Sequence, residues 1–145
     1  MNNEMRKNVA KHLGLPESAT IGQIAEMADK ISRLYDLKKY GLPETATDEE
    51  IRDAYHRKMR ESDDKGYDIL DIDAENARKK MIAILGLPDD YTLEQVNKIE
   101  HELIVHKVAL QNGISEDLPE EEIFKRVDDI MLSEAIDMEN ARKTH

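Results

Sequence analysis

At 145 residues, with a formal charge of −11, no cysteine and no tryptophan, the chain has room for one domain or two small ones. It has no thiol chemistry and lacks the basic face that general binding to nucleic-acid phosphates requires. No apolar run is long enough to cross a membrane, and Met1-Asn2-Asn3-Glu4 has neither the basic end nor the apolar middle of a signal peptide. A cytoplasmic protein without membrane or direct nucleic-acid contact is therefore expected.

In chain order, the apolar spacing predicts a short helix from Asn3 to Leu13 facing inward through Met5, Val9 and Leu13. A long helix follows from Ile21 to Lys39, with Ile24, Ala28, Ile31 and Tyr35 alternating at four and three. That is the stripe of a helix packed along its length. A third helix runs from Asp48 to about Glu61 with Ile51, Ala54, Tyr55 and Met59 inward, and Ser62 to Asp68 reads as a surface loop. The order then repeats: a short helix from Ala74 to Leu85 (Ala77, Met81, Ile84), and a long one from Leu93 to about Gln111 (Val96, Ile99, Leu103, Leu110). The sixth runs from Glu120 to about Ala135 (Ile123, Val127, Ile130, Met131). No stretch shows the alternation of a half-buried strand.

The helices are punctuated by one recurring phrase. Gly41-Leu42-Pro43 followed by Thr47, Glu50 and Ile51 is a helix stop and then a capping box that opens the next helix. It recurs at Gly14 with Thr20, Gln23 and Ile24, and at Gly86 with Thr92, Gln95 and Val96. A fourth copy is Gly113 with Pro119, Glu122 and Ile123. The glycines are 27, 45 and 27 residues apart, so one shift of 72 maps the first pair onto the second. The chain reads as a tandem duplication: an all-α, six-helix bundle of two pseudo-symmetric three-helix units, residues 1–72 and 73–136, sharing one core. Glu75-Asn76-Ala77-Arg78-Lys79 returns as Glu139-Asn140-Ala141-Arg142-Lys143. Residues 137–145 thus read as the truncated start of a third unit, a short helix resting on the second unit through Ile136, Met138 and Ala141.

Gly41, Glu50-Ile51-Arg52, Ala54-Tyr55 and Arg57, followed by a loop and the helix to Leu85, resemble the helix II, loop and helix III portion of a J-domain co-chaperone over residues 35–85. Asp63-Asp64-Lys65 stands where that family carries His-Pro-Asp. The resemblance therefore implies a degenerate J-like fold without stimulation of an Hsp70, its basic face limited to Arg52, Arg57, Lys58 and Arg60.

No catalytic, cofactor or metal site is expected. His101 and His106 are five apart and diverge, unlike the pair of a zinc-protease helix. His106 is in register with Leu34, which predicts a buried histidine without a negative partner; His12 and His56 read as surface residues. Asp63, Asp64, Asp68, Asp71, Asp73 and Glu75 lack calcium-loop spacing and read as a solvated acidic loop. There is no nucleophile triad or phosphate-cradling glycine loop.

The charge is uneven, −3 in residues 1–72 and −8 in residues 73–145. A non-catalytic acidic module for protein–protein interaction or assembly is expected, a monomer or weak head-to-tail oligomer. Its partner surface would be Glu116, Asp117, Glu120, Glu121, Asp128, Asp129, Met138 and Ala141. The alternatives are an acidic decoy that occupies the basic surface of a nucleic-acid-binding protein, and the J-like regulator.

Overall fold

The computed structural model describes residues 1–64 and 69–143. These form six helices: α1 (Asn3–His12), α2 (Ile21–Lys39), α3 (Asp48–Asp64), α4 (Ile69–Leu85), α5 (Leu93–Gln111) and α6 (Glu120–Lys143). No strand occurs among the described residues, so the all-α, six-helix expectation holds. Residues 65–68 and the side chains of Asp63, Asp64, Asp71 and Asp73 lie outside the described residues. With them lie most of the expected acidic loop and the Asp63-Asp64-Lys65 position. Ser62 to Asp64 belong to α3 instead of a loop, and α4 begins five residues before Ala74.

The recurring phrase produces the same local structure four times. Each of its glycines is left-handed, with φ between +67° and +74°, and the next residue donates back into the finished helix. Leu15 bonds the Ala10 carbonyl at 2.8 Å, Leu42 that of Leu37 at 2.8 Å, Leu87 that of Ile82 at 3.0 Å and Ile114 that of Ala109 at 2.9 Å. A residue with a Cβ resists this conformation, which is why glycine stands at each stop. Reciprocal capping boxes open α2 (Thr20, Gln23) and α5 (Thr92, Gln95).

An arginine eight residues before the glycine ties down the turn in three copies. Arg6 Nη1 donates to the carbonyls of Glu17 (2.7 Å) and Ala19 (2.6 Å). Arg78 Nη1 donates to those of Asp89 (3.1 Å) and Tyr91 (2.8 Å), every partner shifted by 72. Arg33 reaches the Ala46 carbonyl at 2.6 Å. Turn carbonyls left without a partner would cost about as much as a lost hydrogen bond, and the guanidinium fork satisfies two at once. The fourth copy has Val105 at this place, and it is buried.

α2 and α5 form the principal contact and run antiparallel, the start of α2 at Gly22 lying against the His106 carbonyl near the end of α5. Two buried clusters result. The larger draws on both halves: Val9, Ile24 and Ala28 with Ile82, Leu85, Val96, Ile99 and Leu103. The smaller, Val105, Ala109, Ile114 and Ile123, lies between α5 and α6. Ile24 and Val96 are equally buried, whereas Ile123 is 1% exposed and Ile51 only half-buried, so the two third helices do not sit alike. Tyr35, Ala77 and Met131, expected inward, are exposed.

The expected end of the sixth helix is corrected. α6 does not stop near Ala135; it continues unbroken to Lys143, and every residue from Met131 to Lys143 is exposed. Residues Ile136 to Lys143 match Ile72 to Lys79 at seven of eight positions, but with a shift of 64 instead of 72. The eight residues 64–71, Gly66 among them, have no counterpart. Where they are present, α3 and α4 are separate helices in contact. Where they are missing, no glycine or proline interrupts the sequence after Pro119, and the two helical stretches fuse into one rod.

Candidate functional site

The residues expected to meet a partner divide into two sets. Glu116 turns inward. Its carboxylate accepts the Gly22 backbone N–H at 2.7 Å and lies 3.1 Å from His106 Nδ1, its side chain 13% exposed. Gly22 stands in the first turn of α2, where amides have no intrahelical acceptor, so an acid from a distant loop serves as an additional cap. A Cβ at position 22 would sit 2.8 Å from Glu116 Oε1 and 2.9 Å from the His106 carbonyl, so glycine is needed for the approach. The expectation for His106 is corrected accordingly: it is part-buried and has a carboxylate partner, while its counterpart Leu34 is 52% exposed. His12 also has a partner. Its ring lies over Gly86 and Nε2 is 3.0 Å from the Ala83 carbonyl, which only the Nε2–H tautomer can use.

Glu120 pairs with His101 Nε2 at 2.6 Å, and Asp117 closes its turn through a 3.3 Å bond from its amide to Ser115 Oγ. Glu120, Glu121 and Glu122 occupy the first turn of α6, where negative charge opposes the helix dipole. Glu121, Asp128 and Asp129 are exposed along α6.

The second set is the uncovered end of that helix. Ile123, Val127 and Ile130 pack toward α5. The same stripe continues past the body as Met131, Met138 and Ala141, spaced at seven and three so that they share a face. Leu132 and Ile136 add a second exposed apolar strip at a spacing of four. At 1.5 Å per residue, the thirteen residues from Met131 to Lys143 offer about 20 Å of uncovered helix. Met138 is 71% exposed.

Elsewhere, Arg78 holds the Glu75 carboxyl below its usual range by hydrogen bonds at 2.6 and 2.9 Å. Burial pushes the Glu100 carboxyl up against the opposing pull of Lys80. Among the described residues no group of three or more histidines and acids could hold a metal, and no helix is long and apolar enough to cross a membrane. No family model matches the chain, and no curated protein or solved structure matches it either.

Proposed function

We propose that the chain is a non-catalytic acidic module that binds another protein by laying the exposed half of α6 into an apolar groove. The observation that carries this reading is the run of thirteen exposed residues that includes Met131, Leu132, Ile136 and Met138. An amphipathic helix with an exposed apolar stripe is the donor half of helix-in-groove recognition, and flexible methionines suit a surface that must fit another protein's contours. Asp128, Asp129, Glu134, Asp137 and Glu139 beside the stripe favour a basic rim on that partner.

Affinity capture from the source cell with the parent chain and with the Met131→Glu/Met138→Glu double variant tests the reading. A partner held by the parent and lost by the variant, at unchanged helicity, supports it; an identical catch with both defeats it. A complex that dissolves on raising salt while surviving the double variant would favour the acidic decoy. The J-like regulator would instead appear as a captured Hsp70 whose binding depends on Arg52, Arg57, Lys58 and Arg60 of α3. Sedimentation of the chain alone separates a foreign partner from a second copy.

A further inference from the structure

Of the seven asparagines, Asn112 alone is followed by glycine. The pair closes α5 at the fourth copy of the recurring phrase, whereas the residues before the other three glycines are Leu13, Tyr40 and Leu85, none of which carries an amide side chain. The Cγ of an asparagine is open to attack by the backbone nitrogen of the next residue, and glycine allows this most readily because no Cβ crowds the approach. The N–Cγ bond forms and the Cγ–Nδ2 bond breaks, so that ammonia leaves and a five-membered imide remains. The attacking nitrogen gives its proton to solvent base, and the departing nitrogen takes one from water. A second water then opens the ring at either carbonyl, leaving aspartate or, with the main chain rerouted through the side chain, isoaspartate. Water is the only other reactant.

In the fold both reacting groups are engaged. Asn112 is the C-cap of α5 with ψ of 8°, which brings the Gly113 nitrogen nearly into line with Asn112's own nitrogen and away from its side chain. The Gly113 nitrogen donates to the Leu110 carbonyl at 3.3 Å, and Asn112 Nδ2 donates to the Val108 carbonyl at 2.8 Å. Both residues are nonetheless exposed, and nothing lies within 4 Å of the place a Cβ on Gly113 would take, so the restraint comes from the cap and not from burial. Fraying of the last turn of α5 releases ψ and both hydrogen bonds together. We propose that Asn112-Gly113 is a self-modification site, held off while the end of α5 is closed, whose reaction permanently opens the seam between the two halves.

The product cannot rebuild the cap. A carboxylate has no hydrogen to give the Val108 carbonyl, and it sets negative charge at a helix C-terminus, where the dipole disfavours it. Isoaspartate also adds a methylene to the main chain just before Ile114, which is buried and whose amide donates to the Ala109 carbonyl at 2.9 Å. Two residues further on stands Glu116, the acceptor of the Gly22 amide, so a displaced turn withdraws the carboxylate that joins α2 to the α5–α6 loop.

Incubating the full chain in mildly alkaline buffer, native and in urea, and weighing the tryptic peptide of residues 108–125 tests the proposal, since Asn112 is the sole asparagine in that peptide. In urea the peptide should convert to separately eluting aspartate and isoaspartate forms, and in the native chain at least about tenfold more slowly. Asn112→Gln should abolish the conversion in both. The refolded product should melt below the parent, and its Gly22 amide should exchange with deuterated solvent faster. Asn112→Asp, which changes the charge without lengthening the main chain, should melt between the two. Absence of conversion at Asn112 in urea overturns the site, and equal rates in the native and unfolded chains overturn the gating by α5. A converted chain that keeps the parent's Tm and Gly22 exchange overturns the link to the seam.

Discussion

α3 and α6 begin alike and end in opposite ways. Both open with three acids in the first turn, and Ile51 and Ile123 occupy the same place in them. α3 then gives way to α4, which lies back against α3, α2 and α5, whereas α6 runs on into solvent. The residues flanking the point of divergence are nearly the same in both, Ile72 to Lys79 and Ile136 to Lys143. The difference is the eight residues 64–71. A helical segment becomes a wall of the body or a free arm according to whether the chain before it can reverse, and its own propensity has little part in the outcome.

The largest test of this contrast is burial at the shared position. Ile123→Ala should cost about 2–5 kcal/mol in urea unfolding, since a fully buried side chain leaves a cavity. Ile51→Ala, at a half-buried site, should cost about 1–2 kcal/mol, because only part of its surface leaves water. Equal losses would mean that the two helices are attached alike. A smaller effect separates the repeated arginines. Arg78→Ala removes two bonds to turn carbonyls and should lower the Tm measurably. Arg142→Ala removes only an exposed 3.7 Å contact to Glu139 and should not change it. If both are silent, the arginine clamp contributes nothing to the fold.

The smallest expected effect concerns Glu100, whose neighbour Lys80 is supplied by the returning α4. Burial raises its pKa above 4.5 despite that lysine. The folded chain therefore holds this proton more readily than the unfolded one. Stability from this group is present below about pH 4.5 and is lost as pH rises through the raised value. Glu100→Gln should flatten the curve in that window and raise stability modestly at neutral pH. A parallel curve for parent and variant would show that the carboxyl is better solvated than its burial implies.

Helix positions were legible wherever start and stop signals lie close to the chain they govern. The bounds of α2 and α5 follow from Thr20 with Gln23, Thr92 with Gln95, and the left-handed Gly41 and Gly113. The end of α6 was not legible, because Glu139 to Lys143 copies a helix interior, and a copied interior reads as a new element only if something ends the old one. The arginine clamp could have been found by aligning the four glycines, which places Arg6, Arg33 and Arg78 in one column and Val105 as the exception. Glu116 reads as a surface acid in the sequence because its partner, the Gly22 amide, is 94 residues away.

The bond between Gly22 and Glu116 bears on the order of events during synthesis. The first turn of α2 can form early, since its own Thr20 and Gln23 cap it, but the acceptor for its Gly22 amide belongs to a loop made 94 residues later. At ribosomal speeds of roughly 5–20 residues per second, that amide must remain hydrated for several seconds at least. The seam between the two halves is therefore sealed only when the α5–α6 loop arrives, so a nascent chain stopped before it would carry α2 with its leading edge still open to water.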